Sequence, residues 1–477
     1  MARPDDLDGD VTRRRALQVG FGAAAGLTLA ACSDDETASR PRPTSSTTPA
    51  AGPNTVVPPP TGMVRTSWST DPWTLGSYSF LGVGATPQLR ATLAEPLSSG
   101  ALHLAGEHVA ATSPATVHGA AESGNAAADR ILDDVDGPER IVVVGAGMAG
   151  ATVARRLADA GHEVIVVEGR DRVGGRLDTV RPAGWEIPVE RGASWVHDVR
   201  ASSLAQDLAD LGVRAVPFDY SESVLGPDGR AVPPETASAG PERALATALD
   251  WAKDQDTDHS LADALLRSGA TADPAELDRF LRTEIITEYG ADPDELSAQE
   301  GLEEGTEGDD LLVVGGYSTL VQDLLVGIPT NLGWPVAAVS HGSDGVTVTA
   351  TDGRTVAGDR AVVTVPLGVL QAGVVRFEPP LPADHRDAVD RLSMGVLDKV
   401  WLRWDERWWG DHGEQWTRTA PADEPYVEWF DLAGATGQPV LLGLVGGSMA
   451  RTWAARSDTE VMSAALDSLQ KFRDAGW

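Results

Sequence analysis

The sequence predicts a two-domain protein that combines an α/β domain, built on a parallel sheet, with an α+β second domain of mixed sheet and helices. The stretch Ile141 to Gly150, IVVVGAGMAG, runs four β-branched residues into three glycines, and helical spacing follows from Ala151 to Gly161. A second apolar run, Glu163 to Val167, ends at the acidic residue Glu168. With 477 residues and 42% hydrophobic content, the chain is long enough to bury two cores. Strand, tight turn, helix and strand in this order are typical of a Rossmann-like dinucleotide-binding unit.

Each glycine of this turn has a separate physical task in such a unit. Gly145 allows the tight turn, Gly147 lets the backbone approach a pyrophosphate, and Gly150 lets the helix pack on the strand. The free N–H groups at the start of the helix are donors to phosphate. Glu168, at the carboxyl edge of the second strand, is expected to accept hydrogen bonds from a ribose. The motif therefore predicts a dinucleotide site, with an ordinary glycine-rich turn as its alternative.

Charge and cysteine content narrow the range of partners. The formal net charge is -33 and the isoelectric point is about 4.5, which argues against nucleic acid as a partner. An acidic surface could attract a cationic substrate, although the excess of acidic residues is also explained by a well-solvated protein surface. Cys32 is the only cysteine, so the sequence predicts no intramolecular disulfide and no metal site. Motifs of zinc proteases, serine hydrolases and nucleotide hydrolases are absent from the sequence.

Residues 1–32 are predicted to be an export signal. Thr12 to Arg15 precede the apolar run Ala16 to Ala31, which is too short and too rich in small residues for a stable transmembrane span. The arginines resemble a twin-arginine signal, and the final LAAC resembles a bacterial lipoprotein box. We expect the protein on the extracytoplasmic face of a bacterial membrane, attached only through a lipidated Cys32; a signal that merely contains a cysteine is the alternative. Residues 33–62, rich in Pro, Ser, Thr and Ala, are predicted to be a disordered tether.

Further motifs carry a resemblance that extends over most of the chain. They are Glu168 to Arg176 (EGRDRVGGR), Val189 to His197 (VERGASWVH), Val314 to Ser318 (VGGYS), Val363 to Leu370 (VTVPLGVL) and Met394 to Val400 (MGVLDKV). Together with the glycine turn, they resemble the flavin-dependent amine oxidases, the family that includes polyamine oxidases, monoamine oxidases and lysine-specific histone demethylases. Asp198 departs from the pattern, because the family usually has glycine there. The segment Met63 to Asp133 is similar to the piece that closes the family's chains, so the resemblance covers essentially all of Met63 to Trp477.

The order of these segments is rotated relative to the family, in which the closing piece follows the glycine turn instead of preceding it. The resemblance therefore implies a circular permutant in which residues 133–139 join the old termini; a rearranged gene is the alternative. The implied divisions are 63–133 for the closing segment of the FAD domain, 140–200 for the FAD-binding core, 201–310 for the helical part of the substrate domain, 311–375 for a return to the FAD domain, and 376–477 for the substrate-domain sheet and helix. Gly106–Glu107 and Gly145–Gly150 should then converge on one cofactor.

The resemblance implies FAD as that cofactor. The residues carried over as FAD contacts are Gly145, Gly147, Gly150, Glu168, Arg170, Gly175, Arg176 and Val336, together with Gly106, Glu107, Thr116 and Val117 from the closing segment. The two arginines are implied to donate to phosphate and Glu107 to contact the ribityl chain, while ion pairing or capping alone is the alternative. The helix that starts at Thr116 and Val117 is implied to stabilise negative charge on the flavin. Monoamine oxidases attach FAD to a cysteine where this chain has Ser77, so we expect noncovalent FAD.

For the reaction, the resemblance implies oxidation of a small amine. A hydride passes from the carbon beside the nitrogen to flavin N5, the imine hydrolyses, and molecular oxygen is reduced to hydrogen peroxide. Lys399 resembles the family lysine that holds a water at N5. Tyr78 aligns with one wall of the monoamine oxidase aromatic cage, Thr116 stands where the second wall would be, and His197 resembles a histidine near the amine in polyamine oxidases. The incomplete cage favours polyamines; an L-amino-acid oxidase and a tethered flavoprotein electron carrier without oxidase activity are the alternatives.

Overall fold

The structure, a computed structural model, describes residues 56–200, 202–303 and 308–477. The predicted export signal and most of the predicted tether therefore lie outside the described residues. Within the described part of the chain, no helix is both long enough and apolar enough to cross a membrane.

A five-stranded parallel sheet forms the centre of the nucleotide-binding domain. In spatial order its strands are Thr330–Asn331, Glu163–Val167, Arg140–Val144, Arg360–Val363 and Leu102–Leu104. Helices Val117–Asp134 and Met148–Asp159 pack against each other and against this sheet. Their close approach needs small residues, because a Cβ on Gly124 would lie 2.6 Å from the carbonyl oxygen of Ala149. The predicted α/β domain is confirmed.

The sheet is completed by chain that precedes the glycine turn. The strand Leu102–Leu104 is hydrogen-bonded in parallel to Arg360–Val363, which lies beside the strand that leads into the turn. At the linker between helix and strand, the guanidinium of Arg360 contacts Asp134 and Glu139 at 2.7 Å each. Polypeptide on both sides of this linker therefore builds one domain.

The second domain is built on a seven-stranded mixed sheet, as predicted. In spatial order its strands are Gly62–Arg65, Leu397–Arg403, Val440–Gly446, Glu428–Asp431, Gln415–Arg418, Glu222–Leu225 and Ala231–Val232. All neighbours are antiparallel except Glu222–Leu225 and Gln415–Arg418, which are parallel. The helix Asp458–Asp474 packs on this sheet through Leu469 and Phe472.

Further helices and small sheets surround these two cores. The helices of the substrate side are Pro234–Lys253, Leu261–Arg267, Pro274–Phe280, the π-helix Leu281–Ile286, and Thr287–Tyr289. The helix Leu204–Asp210 packs instead in the core of the nucleotide-binding domain, through Leu204 and Leu208. The other helical segments are Trp68–Thr70, Gln88–Ala94, Ser98–Gly100, Glu107–Val109, Thr319–Leu324, Leu367–Gln371, Ala383–Arg391, Ala433–Thr436 and Gly447–Ala454. One small sheet contains Trp195–Val196, Asp310–Val313 and Ala215–Phe218, and a second contains Thr355–Gly358, Gly345–Ala350, Val336–Gly342 and Arg376–Glu378. Two-stranded sheets pair Ser393–Gly395 with Tyr78–Phe80, and Thr179–Val180 with Val189–Glu190.

Four of the predicted boundaries are wrong. The tether cannot extend to residue 62, because Val57 is buried among the residues that pack beneath the C-terminal helix and its N–H donates to Gln470 Oε1 at 2.8 Å. Residues 63–133 are not all part of the FAD domain, since Gly62–Arg65 is an edge strand of the second domain's sheet. Residues 376–477 are not all in that sheet either, since Arg376–Glu378 pairs with Val336–Gly342. Residues 201–310 are not all in the substrate domain, because Leu204 and Leu208 pack in the core of the nucleotide-binding domain. Each error concerns a short segment whose packing partners lie elsewhere in the sequence.

Candidate active site

One cavity of about 1650 Å³ is lined by both domains. Val144 and Val167, at the carboxyl ends of two strands of the parallel sheet, contribute to its wall, as do Lys399 and Phe430 from the mixed sheet. The predicted site residues that line it are Tyr78, Gly106, Glu107, Thr116, Val117, Gly145, Gly147, Glu168, Arg170, Gly175, Arg176, His197, Val336 and Lys399. Of the predicted residues, Gly150 alone lies behind the wall. The segments before and after the linker therefore converge on the same cavity.

The glycine turn leaves an open space at one point of the cavity wall. Gly145 has a φ of +107°, and a Cβ there would lie 2.5 Å from Thr364 Oγ1. At Gly150 a Cβ would overlap the carbonyl oxygen of Gly145, so both positions are restricted by the protein itself. At Gly147 the nearest atom, the carbonyl oxygen of Gly174, is 4.0 Å away. This open cradle at the start of the helix Met148–Asp159 fits the pyrophosphate of FAD.

The adenosine end of the predicted FAD site lies beside this turn. Glu168 is buried, and its two carboxylate oxygens accept hydrogen bonds from the N–H groups of Ala146 at 2.7 Å and Arg170 at 2.8 Å. Val336 lines the same region together with Trp334, whose ring lies 4.4 Å from the guanidinium carbon of Arg354. A carboxylate next to an apolar wall suits a ribose and its base.

Both predicted phosphate-side arginines are ion-paired. Arg170 contacts Asp71 at 2.8 Å, whereas Arg176 donates to Glu107 Oε1 and to the carbonyl oxygen of Ser77, each at 2.8 Å. Burial alone would raise the pKa of Glu107, but the charge of Arg176 and its hydrogen bonds lower this pKa to about 2. Glu107 also accepts from the hydroxyl of Ser79 at 2.7 Å. The pair of Glu107 and Arg176 therefore forms a fixed charged contact on the cavity wall.

Thr116 caps the helix Val117–Asp134. Its hydroxyl accepts from the N–H of Gly119 at 2.9 Å and donates to the carbonyl oxygen of Ser113 at 2.7 Å. Thr116 and Val117 both line the cavity, so the start of an 18-residue helix is directed at it. The positive end of this helix is suited to stabilising negative charge on a flavin ring.

Lys399 lies within the strand Leu397–Arg403 and is only 6% exposed. Its ammonium donates to the carbonyl oxygen of Gly192 at 2.5 Å and to Ser194 Oγ at 2.6 Å, and it lies 5.2 Å from the centre of the Trp195 ring. Burial lowers the pKa of Lys399 to about 7, against the opposing charge of Glu190. At neutral pH this lysine can therefore either donate or accept a proton.

Aromatic residues that sequence reasoning missed form part of the wall. Trp195, Phe218, Tyr220 and Phe430 lie with ring centres 4.8 to 6.4 Å apart, and all four line the cavity. The predicted wall residue Tyr78 donates its hydroxyl to the carbonyl oxygen of Thr287 at 2.8 Å. Burial, together with the charges of two nearby glutamates, raises the pKa of Tyr78 well above its ordinary value. The alternating aromatics of AVPFDY, residues 215–220, were the available signal.

His197 contacts a carboxylate that the sequence analysis did not single out. Its Nδ1 lies 2.8 Å from Asp310 Oδ2, which also accepts the hydroxyl of Tyr220 at 2.8 Å. Asp310 is the first residue of the strand Asp310–Val313 and is buried. The acidic run in the sequence between residues 292 and 310 was the one available signal for this position.

The substrate-domain part of the cavity is strongly acidic. The carboxylates that line it are Asp219, Glu242, Asp250, Glu284, Glu288, Glu300, Glu303, Asp309, Asp310 and Glu428. Between residues 217 and 310, Lys253 is the single basic residue among the described residues of the wall, and it pairs with Asp250 at 3.0 Å. Glu303 is paired with Arg90 at 2.9 Å. Such a wall attracts cations and repels carboxylates.

Comparison with known proteins agrees with this geometry. A family model described as flavin containing amine oxidoreductase matches residues 11–132 and 148–476. A model described as pyridine nucleotide-disulphide oxidoreductase matches residues 108–184, which include the glycine turn.

Individual relatives span most of the chain. Polyamine oxidase 4 of Oryza sativa subsp. japonica is 31% identical over 360 residues, 70% of this chain and 73% of the relative. Lysine-specific histone demethylase 1 homolog 1 of the same organism is 31% identical over 363 residues, 70% of this chain and 42% of the relative. Among solved structures, a double mutant of putrescine oxidase has a TM-score of 0.59 at 23% identity, covering 71% of this chain and 82% of that chain. Cyclohexylamine oxidase from Brevibacterium oxydans has a TM-score of 0.56 at 23% identity, covering 72% and 83%.

The family match extends over more than half of the chain, and the two solved structures share its fold. The cavity has the open cradle, the carboxylate and the helix start that FAD requires. The chain therefore belongs to the flavin-containing amine oxidoreductase family and is an FAD-dependent amine oxidase.

Proposed function

We propose that this enzyme oxidises polyamines, which carry two or more ammonium groups, in preference to monoamines. The acidic wall of the substrate-domain part of the cavity is the observation that carries the proposal. A substrate with several positive charges gains from many carboxylates at once, whereas a monoamine has one charge to place. The polyamine oxidase and putrescine oxidase among the similar proteins support the same substrate class.

Different residues of the cavity are proposed to bind different parts of the substrate. Trp195, Phe218, Tyr220 and Phe430 offer apolar ring surface to the methylene chain between the nitrogens. The carboxylates around them are proposed to take the ammonium groups that do not react. Lys399 is proposed to hold a water molecule beside the flavin, since its side chain is buried and faces the cavity.

FAD, bound without a covalent link, would accept a hydride from the carbon beside the reacting nitrogen and pass the electrons to oxygen, which gives hydrogen peroxide. Gly147 and the helix start behind it would hold the pyrophosphate, and Glu168 the ribose. Ser77 supports the noncovalent attachment, because its hydroxyl offers no thiol and is engaged with the backbone of Leu397 at 3.0 Å. Acid precipitation should therefore release the flavin into the supernatant.

An L-amino-acid oxidase is the second candidate on this fold, and the acidic wall argues against it. Such an enzyme needs a cation in the pocket to bind the substrate carboxylate. The arginines that line the cavity are Arg170, Arg176 and Arg191, and each is already within 2.8 Å of a carboxylate. An electron carrier without oxidase activity is the third candidate, and it predicts bound flavin without peroxide formation.

A peroxide-release screen with flavin-loaded protein tests the proposal. Spermidine, spermine and putrescine should give higher kcat/KM values than tyramine, and L-amino acids should give none. Glu288→Gln removes a carboxylate of the wall and should raise KM for spermidine more than KM for tyramine. Glu406→Gln is the matched control, because Glu406 is exposed and lies outside the wall. Preference for tyramine, or for an L-amino acid, would contradict the proposal.

We also propose that the chain is a natural circular permutant exported as a lipoprotein. The pairing of Leu102–Leu104 with Arg360–Val363 supports the permutation, as does the match of the family model in two separate stretches. The export proposal rests on residues 1–32 alone. Cys32→Ala should move the protein from the membrane fraction to the soluble fraction, and an unchanged distribution would contradict it.

A further inference from the structure

The buried ammonium of Lys399 is held by neutral groups rather than by an ion pair. Among the described residues its hydrogen-bond acceptors are the carbonyl oxygen of Gly192, at 2.5 Å, and Ser194 Oγ, at 2.6 Å. A buried cation without a carboxylate in contact is costly to the fold, and ionisable groups in such surroundings are concentrated at functional sites. The two neutral acceptors therefore decide how this charge is kept in place.

The turn that carries both acceptors is fixed by close packing. A Cβ on Gly192 would lie 1.7 Å from the carbonyl oxygen of Arg176, and the N–H of Ala193 donates to that same oxygen at 3.2 Å. The carbonyl oxygen of Ser194 accepts from the N–H of Val313 at 2.8 Å. Because main-chain contacts hold the turn on both sides, the acceptors keep their positions when the lysine changes its protonation state.

The hydroxyl of Ser194 has Lys399 as its one short contact. As a donor it is directed at the carbonyl oxygens of Glu190, at 3.3 Å, and of Gly192, at 3.4 Å, and both distances are long for a hydroxyl. The contact with the lysine is far shorter, as is usual when the donor carries a charge. Ser194 is also only 1% exposed. The principal partner of this hydroxyl is therefore the lysine ammonium.

A protonated lysine has three N–H groups. Gly192 and Ser194 each accept from one of them, which stops rotation about the Cε–Nζ bond and fixes the direction of the third. All three residues line the cavity, so the third N–H is left for a ligand there. We propose that Ser194 is the positioning residue that holds the Lys399 ammonium and presents its third N–H to the water beside the flavin. This inference rests on the proposed function, in which Lys399 holds that water.

A role through the charge of Lys399 differs from a merely structural one in its pH dependence. A hydrogen bond from a charged donor is stronger than one from a neutral donor, so the loss of the Ser194 hydroxyl weakens the protonated form of the lysine most. Ser194→Ala should lower the pKa of Lys399 in the folded protein from about 7 to about 6. The pKa in the unfolded chain does not change. The substitution should therefore cost more stability at pH 5, where the lysine is charged in both folded proteins, than at pH 9.

Other ionisable groups surround this lysine and must be separated from it. They are Glu190 and Arg191 in the preceding turn, Asp178 paired with Arg191, Arg176 against Gly192, His197 and Asp310 beyond Trp195, Arg65 on the neighbouring strand, and Asp398 on the same strand. The charge of Glu190 favours the protonated lysine. A double-mutant cycle removes these contributions, because all four proteins of the cycle carry the same groups.

The test is urea unfolding of the wild type, Ser194→Ala, Lys399→Met and the double variant at pH 5 and pH 9. With Lys399 present, Ser194→Ala should lower the equilibrium constant for folding about tenfold more at pH 5 than at pH 9, which corresponds to the expected change in pKa. In the Lys399→Met background, Ser194→Ala should have the same effect at both pH values. Ser194→Ala adds no atom to the buried turn, so the variant should fold.

Reoxidation of the flavin provides a second readout. Flavin-loaded protein is reduced with dithionite, so that no amine is needed, and is then mixed with oxygenated buffer at a series of pH values. A cation beside the flavin should speed this reaction, because it stabilises the negative charge that develops on oxygen. The pH at which the rate falls to half of its low-pH value should be about one pH unit lower in Ser194→Ala than in the wild type.

Ser468→Ala is the matched control. Ser468 is 2% exposed, and its hydroxyl accepts from Arg418 Nε at 3.4 Å and from Trp429 Nε1 at 3.1 Å. Neither donor loses its proton over this pH range. The control therefore loses a buried hydroxyl from the second domain without affecting a titrating group. It should lose equal stability at both pH values and keep the wild-type reoxidation profile.

Three results would each overturn the inference. They are an equal loss of stability at pH 5 and pH 9 in Ser194→Ala, the same pH dependence in the Lys399→Met background, and a reoxidation profile that Ser194→Ala does not shift. Failure of every amine to reduce the flavin would instead refute the proposed function, and the two failures are distinguishable because neither measurement uses an amine.

Discussion

The buried ammonium of Lys399 makes the stability of the protein depend on pH in a defined direction. Burial lowers the pKa of Lys399 from its ordinary 10.5 to about 7. Below pH 7 both the folded and the unfolded chain carry the proton, so the folded chain bears the full cost of burying the charge. Between pH 7 and 10.5 the unfolded chain still binds the proton and the folded chain does not. Stability should therefore rise with pH across this window.

The size of the effect follows from the pKa values. Each pKa unit corresponds to about 1.4 kcal/mol, so raising the pH from 7 to 9.5 should stabilise the wild type by about 3 kcal/mol through this residue. Lys399→Met removes the titrating group, and the free energy of unfolding of the variant should lack that increase. The difference between the two proteins isolates the lysine, because all other groups titrate in both.

Urea unfolding at pH 7 and pH 9.5, followed by tryptophan fluorescence, measures this difference. Lys471→Met serves as the control, since Lys471 is exposed on the C-terminal helix and folding buries little of it. The reasoning would be refuted if wild type and Lys399→Met gained equal stability between the two pH values. It would also be refuted if the wild type lost stability relative to the variant.

Three further predictions concern the flavin site. Gly147→Ala should fold with wild-type stability but retain less flavin after purification, because a Cβ there would lie no closer than 4.0 Å to any protein atom and would stand where the pyrophosphate is expected. Gly150→Ala should lower the melting temperature as well, because its Cβ would overlap the carbonyl oxygen of Gly145. Equal melting temperatures of the two variants would contradict this. Lys399→Met should slow flavin reduction or reoxidation in stopped-flow traces, and unchanged rates would remove the proposed water-holding role. Glu107→Gln should lower the flavin content, and it should lower the free energy of unfolding by about 3 kcal/mol, because Arg176 loses its buried partner. A variant that binds flavin fully and unfolds like the wild type would show that this pair is unimportant.

The nucleotide-binding half of the site was accessible to sequence reasoning because its determinants are local. The strand, the glycine turn and the acid at the end of the next strand occupy fewer than 30 consecutive residues, and steric rules restrict each glycine. Arg176 and Glu107 could be assigned only through the family resemblance, because their ion pair joins two segments 69 residues apart. The cavity brings these motifs together as the resemblance implies.

The substrate half could not be predicted in the same way. Phe218, Asp310 and Phe430 are brought together by pairing between distant strands, and no local pattern marks those partners. The same limitation explains the misplaced boundary at Gly62–Arg65, whose partner strand begins more than 300 residues later. The aromatic rings that line the cavity besides Tyr78 include Trp195, Phe218, Tyr220 and Phe430, none of which the sequence assigned to the wall.

Anaerobic mixing of the flavin-loaded protein with spermidine tests the central claim most directly. The absorbance of the oxidised flavin should decrease on the stopped-flow timescale and should return when oxygen is admitted. The decrease should be faster with spermidine than with tyramine. If dithionite reduces the bound flavin but no polyamine does, the account is contradicted.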